Sequence, residues 1–375
     1  METSIDTDKK LVSKAISFLR LPLMLIVVIS HVNIGYHTMP LYETIYDILS
    51  VQIGHSAVCL FFFISGYLFF YNIQNTFTIR DYKKKLIKRV HSLLIPYLFW
   101  NAFVIVCFAI LHTFFAAFIN ENFNNIYNFT LIELVRSFWD YPGGQPICYQ
   151  FWFLKELMIG VLFTPLFYII AKYGKRIAIL FWIGVLLFPC AFPYKSMITC
   201  FGLGTCFSIN RYDVIKTVEK CGIYAIIAFG SIIFCNEIHC LPVGVSEYFD
   251  SGTKNFIGMI SFLYLSILFV KRDIKISPKY ADSSFFLYAA HGFFVVLICK
   301  AIILLLHPSS EIMCITTYLL CYVITVIFCY SIYWFLKRFS LVFQQSSMAT
   351  DNYFMFRHEL SKNIISPQTK TSYLT

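Results

Sequence analysis

Arg20 and His31 stand eleven residues apart in an otherwise apolar stretch of the chain. An α-helix would bring both to one face, about 16 Å apart along its axis. Arginine can hold an oxyanion through paired hydrogen bonds, and a neutral imidazole can accept a proton from a hydroxyl or attack a carbonyl. Ionisable groups inside membrane helices usually face a cavity or a partner. The pair therefore predicts a functional face, with snorkelling of Arg20 and structural packing of His31 as the alternatives.

The elements that must position this pair are membrane-spanning helices. Apolar residues make up 58% of the chain and charged residues 13%, with a mean hydropathy of +0.69, whereas soluble domains carry about 25% charged residues. Apolar runs of roughly 18 to 25 residues suit a hydrocarbon core of about 30 Å. The sequence predicts an all-α polytopic membrane protein of about ten transmembrane helices. We expect the spans at 15–35, 53–73, 92–119, 151–171, 177–194, 197–210, 221–236, 255–270, 283–306 and 312–336.

The distribution of positive charge predicts the orientation in the bilayer. Most Lys and Arg residues outside the spans fall in alternate connections, which the positive-inside rule assigns to the cytoplasm together with both termini. The net charge of +10 therefore reflects membrane orientation, and no nucleic-acid partner is expected. No metal-type CxxC pair occurs, so no metal site is predicted. Residues 1–340 are expected to form one transmembrane domain, followed by a short cytoplasmic tail at 341–375.

Two of the predicted outer connections are long, at 120–150 and 237–254. The first could contact an acceptor at the outer surface, or it could be a tether with a short interfacial helix around Leu131 to Phe138. Cys148, Cys235 and Cys240 lie near this face and could form one disulfide, with the pairing left open.

Short motifs follow one another in order along the predicted spans. Besides the Arg20–His31 pair they are Phe61-Phe-Phe-Ile-Ser-Gly-Tyr67, Lys85-Leu-Ile-Lys-Arg89 leading to Ile95-Pro-Tyr97, Phe151-Trp-Phe-Leu154 and Ser284-Phe-Phe-Leu-Tyr-Ala-Ala-His291. In this order they resemble the membrane acyltransferase-3 family of carbohydrate O-acyltransferases, over roughly residues 11 to 340. The family signature is a basic residue, ten further residues and a histidine. One departure is that Lys85 and Lys88 replace two arginines three apart, which retains charge but loses the bidentate fork.

The resemblance implies an acyl-coenzyme A dependent O-acyltransferase, with residues 1–340 as its acyltransferase domain. The donor, foremost acetyl-coenzyme A, would be cytoplasmic, and the acceptor would be a hydroxyl of a glycan or lipid-linked saccharide. The location implied is the bacterial plasma (inner) membrane, where O-acetylation would modify a cell-envelope polysaccharide. Membrane lipid is then the surrounding partner.

The resemblance and the spacing together assign a role to each candidate residue. His31 is expected to act as a general base, with a covalent acyl-histidine as the alternative, and Glu156 or His55 could orient its imidazole. His291 is expected in the cytoplasmic half of its span, where it would line the donor path. The catalytic candidates are His31, Arg20 and Glu156; the donor-binding ones are Arg20, Lys85, Lys88, Arg89 and His291; and the acceptor-binding ones are His55 and Trp152.

A polytopic transporter and a glycan polymerase are the rival interpretations. Transporters typically show repeated halves and interrupted helices around a midplane site, and the sequence predicts neither. The polymerase interpretation requires a longer outer loop than either connection provides.

Overall fold

The chain is mostly helical in the residues that the computed structural model describes, which are 2–73, 76–114, 126–141, 143–188, 192–238, 252–277, 280 and 283–339. Within them β structure is limited to one isolated bridge between Tyr141 and Gln145, so the predicted all-α class is confirmed. Cys240, most of the 237–254 connection and the predicted tail at 341–375 lie outside these residues. The helices are α1 (Glu2–Ser30), α2 (Pro40–Tyr46), α3 (Gly54–Phe70), α4 (Ile79–Arg89), α5 (Ile95–Phe114), α6 (Leu131–Arg136), α7 (Trp152–Leu162), α8 (Thr164–Leu187), α9 (Lys195–Ile209), α10 (Val214–Glu237), α11 (Lys254–Lys271), α12 (Ser284–Leu306) and α13 (Glu311–Phe339).

The described helices make the chain a multi-pass integral membrane protein. Seven helical segments are long and apolar enough to span a bilayer, two of them joining neighbouring helices (α2 with α3, and α4 with α5), and the bent pair 149–162 and 164–187 brings the number to eight. The predicted number of ten is not confirmed. The helix α9 has 15 residues and is about 22 Å long, shorter than a hydrocarbon core of about 30 Å. The 62° bend of the α7–α8 pair is an interruption that the sequence did not indicate.

The helix α1 lies at the centre of the bundle. Its residues Ala15, Leu19, Leu23 and Val27 recur every fourth position and are all buried. Ile16, Met24 and Val28 on adjoining faces are buried too, as in a helix packed on several sides, and α1 contacts α3, α11 and α12. The face that carries Arg20 and His31 therefore points into the protein interior or its cavities.

The helices α3 and α9 touch through their backbones. A Cβ atom at Gly66 would overlap the carbonyl oxygen of Phe201, and one at Gly204 would overlap the carbonyl oxygen of Phe63. Small residues permit such close approach between membrane helices, where packing replaces the hydrophobic effect as the driving force. Gly66 of the Ser-Gly-Tyr motif is thus required by packing.

Replacing Gly204 by alanine is expected to destabilise the protein by about 1–3 kcal/mol, because the added methyl group forces two backbones apart. The measurement is the midpoint of thermal unfolding in detergent. Gly230→Ala on α10 is the matched control, since nothing lies within 4 Å of its Cβ position. Equal midpoints for the two variants would contradict the assigned α3–α9 contact.

The segment 126–151 turns back along α5 into the bundle. It starts beside the end of α5, where the Tyr127 hydroxyl lies 3.2 Å from the Ala109 carbonyl oxygen. The Tyr97 hydroxyl then donates to the Phe138 carbonyl, and the Cys148 N–H donates to Asn101 Oδ1 over 3.1 Å. From Ala109 to Tyr97 the segment descends about 18 Å along the helix.

This segment contains the short helix predicted around Leu131 to Phe138, observed as α6. Its first turn has a capping box in which Thr130 and Glu133 each bond the other's backbone N–H. These bonds hold the pKa of the exposed Glu133 carboxyl below its usual value. Cys148 and Cys235 are free thiols, so no pair for the disulfide considered above is found among the described residues.

Candidate active site

A cavity of about 220 Å³ opens between α1, α3, α7 and α12. It is lined by Met24, Val27 and Ser30 of α1 and by His31, which directly follows that helix. Arg20 lies one turn before Met24 on the same face of α1 and is not itself part of the lining. The polar lining consists of Ser30, His31, Tyr46, Ser50, His55, Ser65, Arg89, Gln150, Trp152 and Tyr288.

His31 directly follows the last residue of α1 and is held there by the polar cap of that helix. The carbonyl oxygen of Ile29 accepts a hydrogen bond of 3.1 Å from the Ser50 hydroxyl, which also lies 2.8 Å from the hydroxyl of Tyr318. The last carbonyls of a helix have no partner within it and need such donors. This cap fixes the point from which the imidazole enters the cavity.

Two rings pack against the His31 imidazole. Tyr149 meets it edge-on with the ring centroids 5.2 Å apart, and the His291 ring lies at 5.1 Å with a tilt of 33°. The prediction that His291 lies in a different half of the membrane from His31 is wrong. The prediction counted the depth of each residue from the edge of its apolar run, as if all helices ended at the same level. In the structure α12 continues for about 22 Å beyond His291, whereas α1 ends beside His31.

His291 is fully buried and is not part of the cavity lining. The His31 and Tyr288 rings pack against it, and its place on the donor path stays a prediction. Its Nδ1 lies 3.1 Å from the Leu287 carbonyl oxygen, and in the described part of the chain its buried Nε2 has no hydrogen-bond partner. Within the described ranges, no group of three or more His, Cys, Asp or Glu residues could hold a metal ion.

Gln150 brings a polar group to the cavity that the sequence prediction missed. Its side-chain nitrogen donates to the Ala289 carbonyl over 2.9 Å. Its main-chain carbonyl oxygen accepts a hydrogen bond of 2.8 Å from the Tyr288 hydroxyl. These bonds join the turn before α7 to the motif in α12. The only sequence signal for Gln150 is a single amide side chain before the apolar Phe151-Trp-Phe-Leu154 stretch. How deeply Gln150 lies in the bundle depends on the path of the 126–151 segment, which the sequence does not show.

Three of the sequence motifs meet in one aromatic stack. The Phe151 ring lies between Tyr97 at 5.8 Å and Tyr288 at 5.5 Å, with small interplanar angles. The stack fixes α5, α7 and α12 around the histidine pair.

The predicted acceptor-binding residues His55 and Trp152 both line the cavity with His31. Glu156 is half-buried on α7 and is not part of this lining. Among the described residues, the rings packed on His31 are those of Tyr149 and His291, and an orienting role of Glu156 stays a prediction.

Arg89, at the end of α4, is the member of the predicted basic group that lines the cavity. Its guanidinium carbon lies 5.8 Å from the Phe69 ring centroid. The Lys85 ammonium lies 5.2 Å from the same ring and donates to the Phe69 carbonyl. Lys88 is exposed, and neither lysine is part of the lining. The positive groups therefore gather where α3 ends and α4 approaches.

A family model described as an acyltransferase domain matches residues 13–334. The chain belongs to the membrane acyltransferase-3 family. No curated protein and no solved structure matches it. Family membership and the spanning helices make the chain a membrane acyltransferase, and the transporter and polymerase interpretations give way to this assignment.

Proposed function

We propose that this acyltransferase moves an acyl group, foremost acetyl, from cytoplasmic acyl-coenzyme A to a hydroxyl of a glycan or lipid-linked saccharide in the bacterial plasma membrane. One observation carries the proposal: a single cavity is lined by the cationic Arg89 and by the imidazole of His31. A phosphate-bearing donor needs fixed positive charge, and acyl transfer to a hydroxyl needs a base.

Arg89, together with Arg20 one turn beyond the α1 lining, would hold the phosphates of the donor. Guanidinium groups pair with oxyanions through two hydrogen bonds, which fixes orientation as well as charge. Lys85 and Lys88 would add positive charge at the same end. The thioester would then extend between the apolar side chains of Val27, Leu154 and Leu157, which line the cavity.

His31 would act as the general base at the thioester. It takes the proton of the acceptor hydroxyl while the hydroxyl oxygen forms a bond to the thioester carbonyl carbon. The tetrahedral intermediate collapses, the carbon–sulfur bond breaks, and the thiolate takes the proton from the imidazolium. The products are an ester and coenzyme A with a free thiol, and His31 is returned to its neutral form.

His55 and Trp152 would contact the acceptor. The Trp152 ring offers an apolar face for sugar C–H groups, and the His55 imidazole can donate to or accept from a hydroxyl. Both belong to the wall that also contains His31, so an acceptor hydroxyl held between them would reach the base.

The experiment uses membrane vesicles of defined orientation, since acyl-coenzyme A does not cross a bilayer. Two preparations of vesicles, one inside-out and one right-side-out, contain the protein and a lipid-linked glycan extract. Radiolabelled acetyl-coenzyme A is added to the external medium of each. Label is expected in the glycan only with inside-out vesicles, which expose the basic loop of α4. Vesicles without the protein are the control. Label only with right-side-out vesicles would reverse the donor side, and none in permeabilised vesicles would refute the proposed reaction.

A further inference from the structure

The hydrogen bonding of His291 defines which of its ring nitrogens carries a proton. Nδ1 lies 3.1 Å from the carbonyl oxygen of Leu287, an atom that can only accept. Nδ1 is therefore the N–H, and Nε2 of the neutral ring carries a lone pair. That Nε2 is buried and has no hydrogen-bond partner among the described residues. Buried acceptors in folded proteins are normally paired, so an unpaired one requires an explanation.

The ring packed on this histidine is that of His31. The centroids lie 5.1 Å apart and the planes are tilted by 33°. Of the other polar groups nearby, the Tyr288 hydroxyl already donates to the Gln150 carbonyl and the Gln150 amide donates to the Ala289 carbonyl. A neutral His31 ring carries one N–H and packs against the ring that bears this acceptor, and catalytic hydrogen bonds are often long until substrate binds.

We propose that His291 is a positioning residue for His31, with Nε2 of His291 accepting the N–H of the His31 imidazole. This inference rests on the proposed role of His31 as the base. The bond fixes the His31 tautomer, so the other ring nitrogen faces the cavity with its lone pair. When that nitrogen takes the acceptor proton, His31 keeps its N–H bond to His291, which stabilises the imidazolium. The proton then leaves with the thiolate, and no covalent bond forms at His291.

The arrangement resembles in logic a base held by a second acceptor, as in hydrolase triads, although here the acceptor is neutral. A neutral imidazole suits a buried position inside a membrane bundle better than a carboxylate does, since an unpaired charge there is costly. The two α12 residues that close the site, Tyr288 and His291, thus hold the turn at Gln150 and the base at His31.

The test compares His291→Phe with His291→Gln. Phenylalanine keeps the ring volume but removes the acceptor, so kcat for acetyl transfer is expected to fall about 100-fold with the donor KM unchanged. Glutamine retains a carbonyl oxygen and is expected to recover at least about tenfold of this loss. His112→Phe on α5, outside the cavity lining, is the matched control for a histidine replacement.

Thermal unfolding midpoints identify variants that fail to fold. Wild-type kcat for a folded His291→Phe variant, or equal losses in folded His291→Phe and His291→Gln variants, would overturn the inference. If His291→Phe does not fold, the glutamine variant decides: kcat within about tenfold of wild type supports the bond, and a larger loss overturns it. The proposed function fails separately, by an absence of transfer in the wild-type protein itself.

Discussion

Replacement of His31 by alanine is expected to lower kcat for acyl transfer by about 10²- to 10⁴-fold, the usual contribution of a general base. The donor affinity should remain, because the positive charge at Arg89 is unaffected. The measurement pairs the rate of label transfer from acetyl-coenzyme A with calorimetric binding of coenzyme A to the purified protein. His112→Ala, outside the cavity lining, is the control and should keep the wild-type rate.

Retention of most activity by His31→Ala would show that another group takes the proton. The same preparation separates the two chemical roles of this histidine. If His31 acts as a base, wild-type protein incubated with labelled acetyl-coenzyme A and no acceptor stays unlabelled. Stable or trappable label on the protein, absent from the alanine variant, would instead identify an acyl-histidine intermediate.

The part of the site that α1 contributes was predictable because it depends on local helix geometry. The spacing of Arg20 and His31 placed them on one face, and the structure lines its cavity with Met24, Val27 and His31 from that face. Periodicity within one helix is independent of the surrounding fold. The basic residues before α5 were likewise readable as a group, although the structure brings Arg89 rather than Lys85 or Lys88 to the wall.

The partners of His31 were not predictable, because they depend on how helices are offset along the bundle. A depth counted from the edge of each apolar run separated His291 from His31, but their rings lie 5.1 Å apart. Gln150 and Tyr149 reach the same place through the re-entrant 126–151 segment, which composition had suggested to be an outer loop. Its path is set by bonds such as that from Cys148 to Asn101, which have no local sequence pattern.

The order of the motifs carried more information than any one of them. Phe151, Tyr97 and Tyr288 are common aromatic residues in separate apolar segments, yet they stack together beside the histidine pair. Gly66 in another motif permits the backbone contact of α3 with α9. The motifs thus contain residues whose packing stabilises the cavity walls, and the catalytic candidates lie on those walls.

Arg89→Ala is expected to weaken binding of acetyl-coenzyme A by about 10- to 100-fold, because a hydrogen bond to a charged group contributes about 1.5–3 kcal/mol. The affinity of Arg89→Lys should lie between those of wild type and Arg89→Ala, since an ammonium group supplies charge without the bidentate fork. Lys84→Ala is the matched control: it is exposed on the same helix and lies outside the lining. Its removal should change the affinity by less than about threefold at moderate salt.

A truncated donor separates phosphate binding from support of the cavity wall. Acetyl-pantetheine carries the thioester but lacks the nucleotide phosphates, so its affinity should be the same for wild type and Arg89→Ala. The pair of donors and the pair of proteins form a double cycle whose coupling energy belongs to Arg89 and the phosphates. Equal weakening of both donors would instead assign Arg89 to the packing of its guanidinium on Phe69, and the donor phosphates would have to be held by other cations such as Arg20.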